Sequence, residues 1–378
     1  MKKLHLLEDS VYANWYVSNC KLYNDNTTEN VFVCIKNEVS YIKDETVIVC
    51  NEGGEYYKQL IDQINSDIYR TVFVNFLDIK KANFINSTTN TKVKFVWILW
   101  GGDLYALTKY KFNIYEGFSK KFMTQKGHLN KPTLRMKIGS VKRNIFNKVD
   151  PKTLDWQYPI HKSISRLNAC ATLISKEVAL IAKKGNPKIS QIPFAMVSSL
   201  NDFVFDETVA KNKILVGNSA DPATNQYEVL KKLSSIQVLD EVIVPLSYGN
   251  ADYKTELIKA TKNFHLKLNV LTDLLPKAEY YKLLSEVRVA IFPHKIQKAF
   301  GNIIALLYFG AKVFLRECNP IYYELNKIGV VVFPINSGLT KNDLEALSPE
   351  LANKNRTLIN NWIGEAKVKS YYNKLLSY

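Results

Sequence analysis

Lys213–Lys232, KILVGNSADPATNQYEVLKK, reads as a short buried strand (Ile214 to Val216), a turn of small and polar residues, and then a helix. That order puts Gly217, Asn218 and Ser219 at the carboxyl end of a strand, just ahead of a helix N-terminus. In open α/β sheets ligands bind outside the carboxyl ends of the strands, and the free N–H groups of a helix N-terminus favour phosphate. Gly217 lets the backbone approach a ligand closely, while Asn218 and Ser219 add hydrogen-bonding groups. An ordinary βα turn with a polar helix cap has the same composition, so the reading depends on the rest of the chain.

Outward from this stretch the pattern repeats. Strand signals at Ile214–Val216, Glu241–Pro245, Lys267–Leu271, Val287–Phe292, Lys312–Leu315 and Val330–Phe333 alternate with helical ones. The helices are expected near Gln226–Ser235, Asp252–Lys262, Lys277–Ser285, Asn302–Phe309 and Asn319–Lys327. Upstream, Val31–Ile35, Thr46–Cys50, Val72–Phe76 and Phe95–Trp100 are apolar runs rich in β-branched and aromatic residues, with a helical pattern at Tyr56–Ile68. Such alternation predicts parallel sheets with helices on both faces. At 378 residues the chain exceeds one typical core. The expected class is therefore α/β of the GT-B type, two Rossmann-like doubly wound domains facing across a cleft. The boundary is expected near Pro193–Val209, giving an N-terminal Rossmann-like domain over 1–205 with a basic insertion at about 106–160, and a second over 206–378. Periplasmic binding proteins share this layout, so architecture alone does not fix function.

Hydrophobic content of 47% with 23% charged residues describes a water-compatible globular chain. The formal charge of +16 points to an anionic partner: nucleic acid, a membrane surface or a phosphorylated substrate. Five scattered cysteines without a CxxC pair argue against a disulfide framework or structural zinc, and five histidines form no HxxxH pair, so no metal is expected. The start, MKKLHLLEDS, lacks a signal-like apolar stretch, and runs such as Ile303–Phe309 are far too short to span a bilayer. The expectation from these features is a soluble or peripheral protein, not an integral one, suited to a reducing cytoplasm.

Within Ala106–Lys148 there are eleven Lys or Arg and one acid, Glu116, interleaved with Phe112, Tyr115, Phe118 and Phe122. Basic residues near anionic lipid contribute roughly 1 kcal/mol each, so Lys120, Lys121, Lys142 and Arg143 are candidates for a membrane-facing patch. A solvated surface and a single-stranded nucleic-acid track remain alternatives.

Three further stretches carry chemistry. In FVWILWGGDLY, Phe95–Tyr105, a strand ends in a Gly-Gly turn presenting Asp103, which can act as general base or merely cap the next helix. Asn75 closes the apolar run before it and suits either a substrate hydroxyl or a hydrogen bond within the sheet. In VPLSYGNADY, Val244–Tyr253, Tyr248 and Gly249 follow a strand, where Tyr248 can stack on a base or simply pack. In FPHKIQKAFGNIIALLYFGAKVF, Phe292–Phe314, a strand leads through His294, Gln297 and Lys298 to Gly301-Asn302, which open an apolar helix. The helix dipole suits a diphosphate, and His294, Gln297 or Lys298 can neutralise charge on the leaving group. Arg316–Pro320, RECNP, then begins another helix.

Taken together, KILVGNSADPATNQ, VIVPLSYGNADY, EYYKLLSEVRVAIF, the Gly301–Pro320 stretch and FVWILWGGDLY resemble the TDP-N-acetylfucosamine:lipid II N-acetylfucosaminyltransferase family, with gaps, from about Thr71 to Val332. The resemblance implies a hexosyltransferase that moves 4-acetamido-4,6-dideoxygalactose from a TDP-sugar to an undecaprenyl-diphosphate-linked glycan in bacterial surface-polysaccharide synthesis. It implies Gly217, Asn218, Ser219, Tyr248, Gln297, Gly301, Asn302 and Asn319 at the donor side and Asp103 at the acceptor side. No metal and no cofactor beyond the nucleotide-sugar substrate is implied. Two departures stand out: the family pattern has a histidine where Asn75 stands, and the basic stretch around Thr124–His161 has no counterpart. A UDP- or GDP-sugar donor is the alternative within the class, and a non-catalytic polyanion or nucleic-acid binder the alternative outside it. A sugar-nucleotide epimerase is disfavoured by the lack of an N-terminal GxGxxG.

Overall fold

The computed structural model describes residues 2–24, 28–107, 113–128, 157–196, 200–335 and 339–378. They form two compact units. The first contains the described residues of 2–107, 157–196 and 365–378; the second contains those of 113–128 and 200–364. A single cut at 205 misses two excursions: the segment 113–128 folds into the second unit, and the C-terminal helix Glu365–Leu376 folds into the first. There Tyr372 donates to the Met196 carbonyl at 2.7 Å and packs edge-on against Phe194.

The first unit is built on a seven-stranded parallel sheet of order β3-β2-β1-β4-β5-β6-β7. The strands are β1 (Lys2–Leu7), β2 (Glu29–Ile35), β3 (Val47–Cys50), β4 (Tyr69–Asn75), β5 (Lys94–Ile98), β6 (Ala169–Ala171) and β7 (Ser190–Ile192). The second has a six-stranded parallel sheet of order β10-β9-β8-β11-β12-β13. Its strands are β8 (Lys213–Val216), β9 (Glu241–Pro245), β10 (Lys267–Leu271), β11 (Val287–Phe292), β12 (Lys312–Leu315) and β13 (Phe333–Pro334). Strands covered on both faces read as continuous apolar runs; Val72, Phe73 and Val74 of β4 are fully buried, as are Val289 and Ala290 of β11. Each order reverses once, between β1 and β4 and between β8 and β11.

Two local departures have clear causes. β1 is central yet invisible as an apolar run, because Lys2, Lys3 and His5 interrupt it. His5 is nevertheless fully buried, with Nδ1 2.8 Å from the Tyr16 hydroxyl, Nε2 3.0 Å from Asn30 Oδ1, and its ring stacked on Phe73. The last strand shrinks from the expected Val330–Phe333 to Phe333–Pro334, since proline cannot donate to a ladder and belongs at an edge.

The described part of the basic region also departs from expectation. On the helix Gly117–Gln125, Lys120 and Lys121 are exposed. Its aromatics are not available to lipid: Phe118 stacks on Tyr227 at 4.5 Å, and Phe122 is buried against Tyr253 in the second unit's core. Lys142 and Arg143 lie outside the described residues. Among the described residues no helix is long and apolar enough to cross a membrane.

Candidate functional site

In the second unit the loops leaving β8, β9, β11 and β12 are joined by specific bonds. Gly217 sits at φ +73° and donates its N–H to the Ile291 carbonyl at 2.9 Å. A Cβ there would lie 2.6 Å from the Gln226 side chain, itself fully buried and donating to the Ser219 carbonyl at 3.1 Å. Asn218 donates to the Tyr248 hydroxyl at 2.9 Å, while its Oδ1 is buried with no partner. Tyr248 is half exposed. Gly249, at φ +118°, bridges Ala220 so closely that a Cβ would meet the Ala220 backbone at 2.7 Å. Asp221, two residues beyond Ser219, pairs with Lys298 of the loop after β11.

That loop ends at Ala299, a left-handed residue (φ +58°) that caps the helix Phe300–Phe309. His294 is fully buried, and neither ring nitrogen makes a hydrogen bond of normal geometry. Burial, reinforced by Lys298, lowers its pKa to about 3, so it is an uncharged imidazole at neutral pH and cannot supply positive charge to a leaving group. Asn319 is buried and fully used: Oδ1 accepts from Ile321 N at 2.9 Å and Nδ2 donates to the His294 carbonyl at 3.2 Å. Asn302 donates to the Tyr280 hydroxyl at 2.9 Å, and Gln297 is partly buried. Gly301 is different from the other glycines here. It is exposed, its φ is not positive, and a Cβ added to it meets nothing within 4 Å. The fold does not require glycine at that place.

The site contains cations that motif reading missed. Lys295, after β11, lies 3.1 Å from Glu116, and Arg316, after β12, pairs with the same carboxylate; Arg316 Nε is buried without an acceptor. Glu116 arrives on the excursion 113–128, anchored where its N–H donates to Asn225 Oδ1 at 2.8 Å. The signal was present as RECNP and as the lone acid in the basic stretch. What brings them together is the chain crossing, which no local pattern reveals.

Asp103 and Asn75 lie in the first unit. Asp103 is buried, and both carboxylate oxygens are occupied: Oδ2 accepts from Trp97 Nε1 at 2.6 Å and Leu77 N at 3.1 Å, and Oδ1 accepts from Trp100 N at 3.2 Å. Burial raises its pKa to about 6, against the pull of those donors. The value suits a base near neutrality, but the geometry is that of a tie between strand-end loops. Asn75 is 1% exposed and lies against the Tyr16 hydroxyl, with neither amide atom in a hydrogen bond of normal geometry. Among the described residues no group of three His, Cys, Asp or Glu is placed to hold a metal ion.

Two parallel doubly wound units, the second with glycine turns at its strand ends, have the architecture of the GT-B fold. Solved structures with this architecture cover the whole chain: sucrose-phosphate synthase from Thermosynechococcus elongatus (TM-score 0.61, 9% identity, 98% of that chain) and the N-terminal domain of Candida albicans trehalose-6-phosphate phosphatase (0.58, 9%, 96%). Anabaena HepE, solved with UDP and glucose, is similar at TM-score 0.54 and 12% identity over all of this chain and 95% of that one. At such identities the likeness is one of fold. The family follows from sequence: residues 178–368 match the profile of the 4-alpha-L-fucosyltransferase family, glycosyl transferase group 56, and the chain belongs to it.

Proposed function

We propose that the protein transfers 4-acetamido-4,6-dideoxygalactose from a TDP-sugar to an undecaprenyl-diphosphate-linked glycan at the cytoplasmic face of a bacterial membrane. The observation that carries the donor half is Gly301, an exposed glycine that the fold does not need, at the N-terminus of the helix Phe300–Phe309. The same loop carries Lys295 and Lys298, and the next strand end carries Arg316. In this account a nucleotide diphosphate lies against that N-terminus and displaces Glu116 and Asp221 from the cations, which take the place of a metal at the leaving group. Calorimetric titration with TDP, UDP and GDP tests the donor: selective TDP binding is expected, and preference for UDP or GDP overturns the thymidine-linked sugar but keeps the glycosyltransferase.

The membrane half rests on Lys120 and Lys121, exposed on one helix within the strongly basic stretch. Neutralising Lys120, Lys121, Lys142 and Arg143 together is expected to weaken binding to phosphatidylserine vesicles by about 4 kcal/mol at low salt. Sedimentation with such vesicles checks this; unchanged partition makes the patch a solvated surface.

A further inference from the structure

Glu116 bridges two cations of the second unit with one oxygen for each. Oε1 lies 3.1 Å from Lys295 Nζ, in the loop after β11, and Oε2 accepts from Arg316 Nη2, after β12. Arg316 Nε, on the same guanidinium, is buried with no acceptor. A carboxylate has two oxygens and both are used, so that third donor stays unmet. A phosphoryl group has three acceptor oxygens and can serve all three donors. An unmet buried donor costs roughly 1–3 kcal/mol, which favours exchanging the carboxylate for phosphate. Solvent reaches the cluster, because the side chains of Glu116 and Lys295 are each 21% exposed and that of Arg316 25%.

The carboxylate can leave while the backbone stays. Glu116 is the N-cap residue of the helix Gly117–Gln125, yet its side chain makes no cap bond. Its backbone is pinned on both sides: Glu116 N donates to Asn225 Oδ1 at 2.8 Å, Asn225 Nδ2 donates to the Ile114 carbonyl at 2.9 Å, and Phe118 N donates to Glu228 Oε1 at 2.6 Å. Gly117 sits between them at φ +26°, and a Cβ there would collide with the Glu228 carboxylate. Only the side-chain torsions of Glu116 need change for it to release the cations. Asp221 is placed differently. It pairs with Lys298 through Oδ2, but its Oδ1 accepts from Ala223 N at 2.8 Å and caps the turn Pro222–Thr224. Of these two carboxylates, Glu116 is the one bound to cations alone.

We infer that Glu116 is a tethered competitor for diphosphate at this site. It holds Lys295 and Arg316 while the site is empty, gives them up to an incoming diphosphate, and on returning to them drives the spent nucleoside diphosphate out. The inference rests on the donor reading of the loop after β11 and deepens it: a carboxylate that merely orients the cations strengthens ligand binding, whereas a competitor weakens it and speeds release. A competitor that holds the cations about nine-tenths of the time lowers the apparent affinity about tenfold. Its tether keeps it at that occupancy at any protein concentration.

The test is calorimetric titration of the full chain with inorganic pyrophosphate and separately with TDP, in wild type, Glu116→Gln and Glu317→Gln, with a thermal melt of each. Gln keeps the length of the side chain and the backbone bond to Asn225 while removing the charge. Glu317 is exposed beside Arg316 in the same strand-end loop, so neutralising it measures the general effect of one charge on the site. Glu116→Gln is expected to bind both ligands about tenfold more tightly and to release TDP more slowly in stopped flow; Glu317→Gln is expected to gain less than about twofold. Equal gains in the two variants, or unchanged or weaker binding in a folded Glu116→Gln, overturn the inference. If Glu116→Gln melts far below wild type, Glu116→Asp takes its place: it keeps the charge but draws it back from both cations, and the same tightening is expected. Pyrophosphate binding that tightens in Glu116→Gln with no TDP binding keeps the competitor and discards the nucleotide. TDP binding that Glu116→Gln leaves untouched does the reverse, and no binding of pyrophosphate to either protein overturns both.

Discussion

Asp103→Ala is expected to destabilise the first unit by about 4 kcal/mol, since it strands one buried indole N–H and two backbone N–H groups at roughly 1–2 kcal/mol each. The three donors are Trp97 Nε1, Leu77 N and Trp100 N, and they come from a strand and from two strand-end loops. Asp103→Asn separates the two roles open to this carboxylate. A general base lost to Asn costs about 10²–10⁴ in kcat with the fold intact. A tie between loops gives a smaller loss of transfer that follows the loss of stability, because Asn keeps one acceptor but turns its amide N–H₂ towards a donor. Parallel losses in a urea titration and a transfer assay are the result expected here. A folded, fully stable Asp103→Asn protein without transfer would return the residue to catalysis.

Acid is expected to cost the second unit more stability than the first. His5 and His294 are both buried and both held neutral, with pKa values lowered to about 3 chiefly by burial. Below the unfolded value near 6.5 the unfolded chain binds protons that the folded one refuses, so stability is complete above that pH and lost as pH falls towards 3. Asp103 works in the opposite sense: raised to about 6 by burial, it takes its proton in the folded state first and adds stability as pH falls through 6 towards 4. His294 has no such counterweight among the groups with a resolved shift in its unit. From about pH 7 to about pH 4 each histidine removes roughly 3 kcal/mol and Asp103 returns roughly 2–3 kcal/mol, leaving the second unit worse off by about that much. Asp9, lowered to about 2 by its backbone donors and Lys36 in spite of burial, acts only below this window. Hydrogen exchange pulsed at one fixed pH, after equilibration in urea at each test pH, resolves the two units. His294→Gln is expected to remove most of the second unit's acid sensitivity; equal sensitivity of both units, or no change in the variant, contradicts the assignment.

What could be read in the residues follows physical lines. The second sheet was legible almost to the residue because its strands are mostly apolar, β-branched-rich runs, followed by helices with caps such as Asn250 and Asn319, whose side chains accept from Tyr253 N and Ile321 N. β1 was hidden by a histidine that looks polar in sequence but is neutral in the sheet, and three-residue β6 and β7 are too short to show a period. At the site, the turns at Gly217 and Gly249 were legible because glycine answers a backbone demand there. Glu116 and Arg316 were not. Their meaning lies in which chain segment crosses into which unit and in which hydrogen bonds are missing, and neither leaves a local pattern. The aromatics of 106–148 misled in the same way: Phe118 and Phe122 interleave with lysines in sequence, yet the helix turns them inward and the lysines out.

The most direct test of the donor assignment is TDP affinity by calorimetry in wild type and Gly301→Val, with a thermal melt of each. A side chain at residue 301 enters open space in a helix's first turn, where replacing glycine by valine meets no neighbour and gains roughly a few tenths of a kcal/mol in helix propensity. Gly217→Val, which must drive a Cβ into Gln226 at φ +73°, serves as the contrasting case in which fold and binding fail together. The account predicts that Gly301→Val melts no lower than wild type and no longer binds TDP. A Gly301→Val protein that melts normally and binds TDP as well as wild type would contradict it.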